Sequence, residues 1–530
     1  MNDSTRIPVI VGVGQITDTV SPPEEARSPI DLIRDAALLA AHDSGAGEQL
    51  YRNLDSITVI RLFGDSVPRF KSPFGSPANP PWSLALRLGA QPGDLVYPPA
   101  GGDSPQVMLA RACERIAQGQ SQAALVAGGE ALRTELAARR AGLKLQWDED
   151  APKVPDTLEA APSMYTAAEE AHGMRSAIAM YALIGQALRA VDGQSMDQYR
   201  AKSAELFARF AAVAKDNPLA TRRDGCSAAD LATVSAENPY VGFPYTKRMV
   251  ASAYIDQAAA VLVVSEARAD ELSIPTAKRV YLHGTAHAHD SWFVSERSHL
   301  HTSPAMRLTA SHALAQSGKR LDEMAFLDLY SCFPSAVQMA CRELGIAAGD
   351  ARGLTVTGGL PFFGGPGNNY VTHAIAQMVD CVRKRPGSWG LVGANGGLVT
   401  KQSMGVYSTV RPATPFRIDD AAIQAEIDRA QALVLAASPI GPATVETYSV
   451  LHGKQGPETG LIFGRLDATG ERFVANTPSD PKTMAALEAI DCLRLPGFVK
   501  QHDGRNIFTP DFSRVSPLAS LLSPEYLSSL

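Results

Sequence analysis

Apolar strands alternate with amphipathic helices over most of the first 410 residues. Residues 7–13 are β-branched and apolar and end among glycines, which predicts a first strand. Ser28 and Pro29 have the form of an N-cap followed by a first-turn proline, so a helix is expected to begin there. Further strands are predicted at 55–61 and 94–97. This alternation favours βαβ units that form a mostly parallel sheet.

One part of this pattern occurs twice. Residues 102–129 and 367–397 each begin with a glycine turn, continue as a helix of about four turns, and end in an apolar strand that finishes Gly-Gly. The repeat predicts a duplicated α/β domain. Independent convergence on a common loop–helix–strand unit would give the same pattern and stays open at this stage.

The repeat suggests where the domains begin and end. We predict an N-terminal half over residues 1–270 that includes a helix-rich insertion at 132–245, and a C-terminal half over 271–410. Residues 411–425 contain prolines and polar residues and are predicted to form a linker. Short alternating strands with glycine turns then predict a small barrel of the oligonucleotide/oligosaccharide-binding (OB) type over 426–530.

Composition narrows the class of protein. Apolar residues make up 45% and charged residues 20%, and the net charge of −6 provides no basic surface for nucleic acid. No apolar run is long enough to span a bilayer, and the N-terminus does not have the pattern of a signal peptide, so a soluble cytoplasmic protein is expected. The six cysteines contain no C-x-x-C pair, and no metal site is expected. The histidines His283, His287, His289, His299 and His301 have a spacing that fits a strand and loop better than a metal site.

Six ordered sequence blocks carry a resemblance to a known family. They are GVGQIT, LVAGGEAL, SAYIDQAAAVLVVSEARA, DLYSCFPSA, GGLPFFGGPGNNY and VGANGG. With these blocks, residues 5–410 resemble the thiolase superfamily, and more closely its sterol-carrier-protein-type thiolase-like branch. The resemblance implies a five-layered fold of two βαβαβαββ halves, a loop domain inserted in the first half, and a homodimer formed through the first-half sheet edge. The tail resembles the extra C-terminal domain of some thiolase-like proteins.

The family's catalytic positions are altered in this chain. Thiolases use a cysteine nucleophile to hold the acyl group and a second acid/base to move a proton. By the resemblance, the nucleophile falls at or beside Gly102, the glycine-histidine-proline histidine at Gly365, and the late cysteine at Ala394. Tyr330 stands where the family has asparagine or histidine, whereas Cys332 matches the retained cysteine of the same motif. Ordinary thiolysis through an acylated residue 102 is therefore not expected.

The resemblance leaves three interpretations of the pocket. In the first, the pocket binds coenzyme A or a thioester, with Ser252 at the pantetheine and Lys247 and Arg248 at phosphates. The alternative for these residues is that Ser252 packs a turn and the basic pair is solvated. No other cofactor is expected, and coenzyme A would be part of the substrate.

The other two interpretations assign chemistry to the pocket. In one, Tyr330 acts as acid/base in a retro-aldol or retro-Claisen step, because some relatives with tyrosine at this position are aldolases. Asn368 or Asn395 would polarise the carbonyl, and His373 would lower the pKa of the phenol. In the other, Cys332 is the nucleophile, with His373 or Tyr330 as its base. A buried Tyr330 with a satisfied hydroxyl and an inert Cys332 thiol are the structural alternatives.

The sequence thus predicts a thiolase-like protein of the acyltransferase superfamily. It is expected to bind an acyl-CoA or β-ketoacyl substrate without conventional thiolase catalysis. If it is active, the expected reaction cleaves or forms a carbon–carbon bond next to a carbonyl. The alternative is a non-catalytic thioester-binding, lipid-binding or accessory protein.

Overall fold

The computed structural model of the protein describes residues 6–25, 27–66, 70–157, 162–430 and 432–514. Residues 515–530 of the predicted β-domain lie outside this range. The strands are β1 (Pro8–Asp18), β2 (Ser56–Val59), β3 (Asp94–Val96), β4 (Ala123–Ala131), β5 (Tyr240–Gly242), β6 (Tyr245–Thr246), β7 (Asp256–Ser265), β8 (Tyr281–His289), β9 (Phe326–Leu329), β10 (Trp389–Gly396), β11 (Lys401–Ser408), β12 (Gly441–Gly453), β13 (Gly456–Leu466), β14 (Arg472–Asn476), β15 (Pro496–His502) and β16 (Arg505–Pro510).

The helices follow the predicted alternation. They are α1 (Pro29–Ser44), α2 (Pro80–Leu88), α3 (Ser104–Ala117), α4 (Leu132–Ala141), α5 (Ala167–Ala171), α6 (Ala177–Val191), α7 (Met196–Asp216), α8 (Ala228–Ala232), α9 (Glu266–Glu271), α10 (Pro304–Ser317), α11 (Pro334–Leu344), α12 (Tyr370–Lys384), α13 (Ala421–Ile427) and α14 (Pro481–Ala489). The Ser28 hydroxyl accepts a hydrogen bond from the Asp31 N–H, which confirms the predicted start of α1.

The two halves form a five-layered α/β structure. The first sheet has the order β1-β7-β4-β2-β3, and the second has the order β8-β11-β10-β9. The helices α3 and α12 contact both sheets and each other, so they form the central layer. The outer layers are α1 and α2 on the first sheet and α10 on the second, with α11 packed against α10. The two repeat segments therefore form equivalent helix–strand units, which confirms the predicted duplication.

The second half departs from the predicted βαβαβαββ order at one strand. Within the described residues its sheet has four strands. Residues 353–357, which would supply the fifth strand, bind a buried carboxylate instead. The Asp328 carboxylate accepts hydrogen bonds from the Val356 N–H and the Thr355 hydroxyl, both at 2.9 Å. Because these donors satisfy a buried acid, the segment does not form a regular ladder with β9.

The C-terminal domain is a closed five-stranded barrel that is joined to the inserted segment. Its strands follow the order β13-β14-β16-β15-β12, and β12 also pairs with β13 to close the barrel. The β5 strand of the insertion extends this sheet, with Gly242 opposite Leu451. Helix α6 is buried along almost its whole length between the barrel and the second half. A helix that is apolar all round requires partners on every side, which the barrel provides.

The predicted linker at 411–425 overlaps a packed helix. Ile423 and Ile427 of α13 pack in a small apolar cluster with residues of β8 and α10. The Asp420 carboxylate and the Gln424 amide oxygen accept hydrogen bonds from the backbone N–H groups of His287 and His289. These side chains accept hydrogen bonds from backbone N–H groups at the outer edge of β8, which would otherwise be unpaired because β8 is an edge strand. The predicted boundary at residue 425 therefore falls inside a helix that packs on the second half.

The outer edge of the first sheet is also covered by the chain itself. The Asp156 N–H donates to the Leu95 carbonyl at 2.7 Å, and the Tyr97 N–H donates to the Asp156 carbonyl at 3.0 Å. The expected homodimer would use this sheet edge. At these positions the backbone groups that a partner strand would need are already paired within one chain.

None of the helices in the described ranges combines the length and the apolar character that crossing a bilayer requires.

A buried arginine of the barrel, which forms an ion pair within the barrel, also joins it to the second half. The Arg472 guanidinium is fully buried, and its Nε donates to the Glu446 carboxylate at 2.8 Å. The same guanidinium donates to the backbone carbonyls of Ser295, at 2.9 Å, and Arg297. Docking of the barrel thus depends on a buried guanidinium whose N–H groups donate to protein acceptors in place of water.

Replacing Arg472 by Met should destabilise the protein by about 3 kcal/mol, because it leaves the Glu446 carboxylate buried without its main partner. Thermal unfolding measures the loss, and limited proteolysis between the second half and the barrel should become faster. Arg505→Met, at an exposed barrel position, serves as the control and should change stability by less than about 0.5 kcal/mol. Equal effects of the two substitutions would contradict the docking role of Arg472.

Candidate active site

The turn before α3 has no room for a side chain at Gly102. A Cβ built on Gly102 would lie well inside contact distance of the Tyr330 hydroxyl and 2.6 Å from the Asn395 carbonyl oxygen. The phenol of Tyr330 therefore occupies the space beside the start of α3 that a side chain at residue 102 would need. This is the position at which the resemblance places the family's nucleophile.

Tyr330 lies in the turn after β9, and its ring packs edge-to-face on Tyr370 with the centroids 5.6 Å apart. Burial raises the pKa of the Tyr330 phenol well above its ordinary value, and the neighbouring Cys332 and Asp103 raise it further. The predicted base with a lowered pKa is therefore corrected: the phenol stays protonated at neutral pH and is suited to donate a hydrogen bond or a proton.

Cys332 lies just before α11 and is buried. The Tyr181 hydroxyl of α6 lies beside the Cys332 thiol and interacts with it, and the Asn395 amide donates to the Tyr181 oxygen at 2.9 Å. Burial raises the pKa of the Cys332 thiol to about 12 in spite of the Tyr181 hydrogen bond. A nucleophilic cysteine needs a lowered pKa, so the environment of Cys332 opposes the predicted nucleophile.

His373 does not take the position that the sequence interpretation requires. Its ring packs on Phe363 with centroids 5.1 Å apart, and its Nδ1 lies 2.9 Å from the Gln15 side-chain oxygen. Burial lowers the pKa of His373 to about 3, so the imidazole is neutral at physiological pH. The His373 ring thus contacts Phe363 and Gln15. This corrects the expectation that His373 lowers the pKa of Tyr330 or acts as the base for Cys332.

The two predicted carbonyl-polarising amides have different partners. The Asn368 amide nitrogen donates to the Arg61 carbonyl at 2.8 Å and to the Ser66 hydroxyl at 2.9 Å. Because its donors fix the loop after β2, we correct the expectation that Asn368 polarises a substrate. Asn395, in contrast, contacts both Tyr181 and Gly102 and belongs to the site.

Ser252 connects the loops that line the site. Its N–H donates to the Leu360 carbonyl at 3.1 Å, and its carbonyl accepts from the Gly365 N–H at 2.8 Å. Gly365, the position of the missing histidine, has ordinary contact distances of 3.4 Å or more around a Cβ. Ala394 is buried within β10. The geometry therefore gives the backbone of Ser252 the role of joining these loops.

Three cationic side chains lie beside these loops. Lys247 is exposed and Arg248 is half-buried in the turn before Ser252. Arg222 lies close to Arg248, and its guanidinium stands 6.0 Å from the Phe362 ring centroid. Among the described residues, Arg222 Nη1 is buried without a hydrogen-bond partner, and burial lowers the pKa of this arginine. An unsatisfied guanidinium of this kind favours an anionic ligand.

The histidine cluster does not form a metal site. His287 pairs with the Asp420 carboxylate at 2.6 Å, and His283 Nε2 lies 2.8 Å from the Val410 carbonyl oxygen. In the part of the chain that the structure describes, no group of three or more His, Cys, Asp or Glu side chains is placed to hold a metal ion.

A crystal structure of a monomeric SCP2-thiolase-like protein type 1 from Mycobacterium smegmatis matches this chain with 35% identity and a TM-score of 0.81. The match covers 95% of this chain and 99% of that one. Residues 422–502 also match the family model described as the thiolase-like protein type 1 additional C-terminal domain. The chain belongs to the SCP2-thiolase-like proteins of type 1.

More distant structures share the fold of this SCP2-thiolase-like protein. The Ltp2–ChsH2(DUF35) aldolase has 20% identity and a TM-score of 0.53, over 76% of this chain and 98% of that one. Human mitochondrial 3-ketoacyl-CoA thiolase in complex with CoA has 16% identity and a TM-score of 0.50, again over 76% and 98%. At these identities the likeness shows the fold alone. No curated protein sequence matches the chain significantly.

Two residues of the site in this SCP2-thiolase-like protein are absent from the sequence prediction. Tyr181 lies within the largely apolar helix α6, where a hydroxyl that needs a hydrogen-bond partner when buried is the signal that could have marked it. Arg222 lies among other charged residues in a loop, where nothing in the sequence marks it as buried.

Gly102→Ala should destabilise this SCP2-thiolase-like protein by about 1–3 kcal/mol or more, because the added Cβ meets the Tyr330 hydroxyl and the Asn395 backbone. Thermal unfolding is the measurement. Gly365→Ala is the matched control, since its Cβ has space, and it should change stability by less than about 0.5 kcal/mol. If both variants unfold at the wild-type temperature, the packing of Tyr330 against Gly102 is not tight.

Proposed function

We propose that this SCP2-thiolase-like protein binds an acyl-CoA or β-ketoacyl thioester and does not load the acyl group on a cysteine. The observation that carries the proposal is the Tyr330 phenol packed against Gly102, where the thiolase nucleophile would stand. The only thiol close to this point, among the described residues, is Cys332, whose raised pKa keeps it protonated.

The binding part of the proposal rests on the loops around Ser252. Arg222 and Arg248 would meet the phosphates of coenzyme A, since both lie beside these loops and Arg222 has an unsatisfied nitrogen. Lys247 is exposed in the same turn and would add positive charge. The thioester arm would then pass Ser252 and Gly365 toward Tyr330. The human thiolase that shares this fold was solved with CoA, which is compatible with this assignment.

The chemistry that the site favours is carbon–carbon cleavage or formation next to a carbonyl, with Tyr330 as proton donor. A neutral phenol stabilises a developing enolate by hydrogen bonding and can return a proton to it. The raised pKa of Tyr330 suits this role and opposes a role as base. An aldolase is among the proteins that share the fold.

A second candidate function is thioester binding without catalysis. It is favoured by the protonation states of the three predicted catalytic residues, because Tyr330 and Cys332 have raised pKa values and His373 has a pKa of about 3. At neutral pH the Tyr330 phenol and the Cys332 thiol would be protonated, and the His373 imidazole would be neutral and only weakly basic, so none of the three would act as a base or nucleophile.

We also infer a monomer in place of the expected homodimer, since Asp156 already pairs with the edge of β3 and the M. smegmatis relative is monomeric.

Replacing Arg222 by Gln should weaken the binding of CoA and acetoacetyl-CoA at least about tenfold in isothermal titration calorimetry, because a charged hydrogen bond to phosphate is lost. Arg320→Gln removes an exposed guanidinium before β9 and should leave the affinity unchanged. Undetectable CoA binding by the folded wild-type protein, or equal affinity of the two variants, would refute the proposed thioester site.

The two candidate functions are separated by Tyr330→Phe. With a β-hydroxyacyl-CoA, retro-aldol cleavage releases acetyl-CoA and a carbonyl compound without a further reactant. If the site is catalytic, the phenylalanine variant should lose about 100-fold or more in rate while thioester affinity stays within about threefold. Tight binding with no product from the wild type assigns the non-catalytic function.

A further inference from the structure

Two adjoining cavities lie on the far side of the Gly101–Gly102 loop from Tyr330. The larger, of about 440 Å³, lies between α3, the strands β8 and β11, and the segment before α13. The smaller, of about 310 Å³, lies against β8, β11 and α13. They share His287 and Asp420, and none of the residues assigned above to the thioester site lines either cavity. The two cavities together are called the α3 groove below.

Most charged side chains of the larger cavity have partners within the protein. Arg115 pairs with Asp94 at 2.5 Å through its Nη2, although its buried Nε has no hydrogen-bond partner among the described residues. His287 pairs with Asp420 at 2.6 Å. The Glu114 carboxylate accepts from the Ile418 N–H at 3.4 Å. Arg111 is half-buried and forms no ion pair or hydrogen bond with the residues that the structure describes. One guanidinium in the cavity is thus available to a ligand.

The rest of the lining defines the kind of ligand. Val107, Met108, Ala110 and Ile418 provide an apolar wall, and Gln118, Gln120 and Ser403 provide polar groups. A cavity of about 440 Å³ is within the range of small-molecule sites. A single free guanidinium matches a single negative charge, whereas a phosphate dianion would place excess charge beside Glu114 and Asp420. The lining therefore favours a carboxylate on a small apolar body.

We propose that the α3 groove is a second ligand site, in which Arg111 binds the carboxylate of a small amphipathic acid. The floor of the smaller cavity is formed by Asp103 and Lys401, whose charged groups lie 3.2 Å apart. Lys401 also donates to the Ala100 carbonyl at 2.7 Å, so the floor is the back of the Gly101–Gly102 loop. The second site thus lies behind the turn that faces Tyr330, and it does not depend on the proposed function of that turn.

Hexanoate serves as the probe, with inorganic phosphate, hexyl phosphate and hexylamine for comparison. Calorimetric or NMR titration of the full chain should show binding of hexanoate, weaker binding of both phosphates and no binding of hexylamine. Arg111→Gln should weaken hexanoate at least about tenfold, and Arg111→Lys should restore most of the affinity. Arg115→Gln removes a paired guanidinium from the same cavity and should change the affinity less than about threefold. CoA affinity should be the same in all these variants.

A second measurement locates the probe without any charge substitution. With 13C-methyl-labelled methionines, hexanoate should shift the Met108 signal, since Met108 lines the larger cavity, and leave Met484 in the barrel unchanged. Hexanoate binding that is unaffected by Arg111→Gln, or a shift absent from Met108, would overturn the proposal. It would also be overturned by tighter binding of hexyl phosphate, or by a wild-type dimer in light scattering that Arg111→Gln dissociates, since the groove would then be an interface between copies.

Discussion

The packing of the Tyr330 phenol against Gly102 is the constraint on which the candidate site depends. The start of a helix is an electrostatically suitable place for a nucleophile, because free N–H groups and the helix dipole stabilise negative charge. In this protein the start of α3 is preserved, but the space beside it is taken by a phenol and by the Asn395 carbonyl. A glycine at residue 102 is therefore a steric requirement of the arrangement, and a protonated phenol lies where the resemblance places the family's nucleophile.

Helix α6 connects this site to the C-terminal barrel. Near its start, the Tyr181 hydroxyl binds Cys332 and Asn395. Farther along, the Leu183 carbonyl accepts from the Thr447 hydroxyl of β12 at 2.7 Å, and near its end Arg189 pairs with Asp491 at 2.7 Å. Because the helix is buried on all sides, removal of the barrel would expose an apolar surface. The barrel is thus part of the protein's core structure.

Much of the architecture could be predicted from the sequence because local signals agreed with the fold. The Ser28-Pro29 cap and the two glycine-to-Gly-Gly segments led directly to α1 and to the two central helices. The four-stranded second sheet could not be predicted, since the diversion of residues 353–357 depends on the buried Asp328 carboxylate, a tertiary contact. The helical end of the predicted linker was missed because α13 packs on β8 and α10, which are distant from it in the sequence.

The candidate site was predicted less well than the fold, for a similar physical reason. Sequence order placed His373 one turn into α12, but not the face on which its ring would point, and the ring lies on Phe363. The direction of the pKa shifts of Tyr330 and Cys332 depends on burial, which a one-dimensional pattern does not contain. The vacancy at Gly102 was visible in the sequence, but the phenol that occupies it was not.

Intact-protein mass spectrometry after incubation with acetoacetyl-CoA would show whether any residue beside the start of α3 takes up an acyl group. We expect only the mass of the unmodified chain, because residue 102 has no side chain and the Cys332 thiol stays protonated. An added acetyl or acetoacetyl mass that maps to Cys332, or to any residue beside the start of α3, would contradict this expectation.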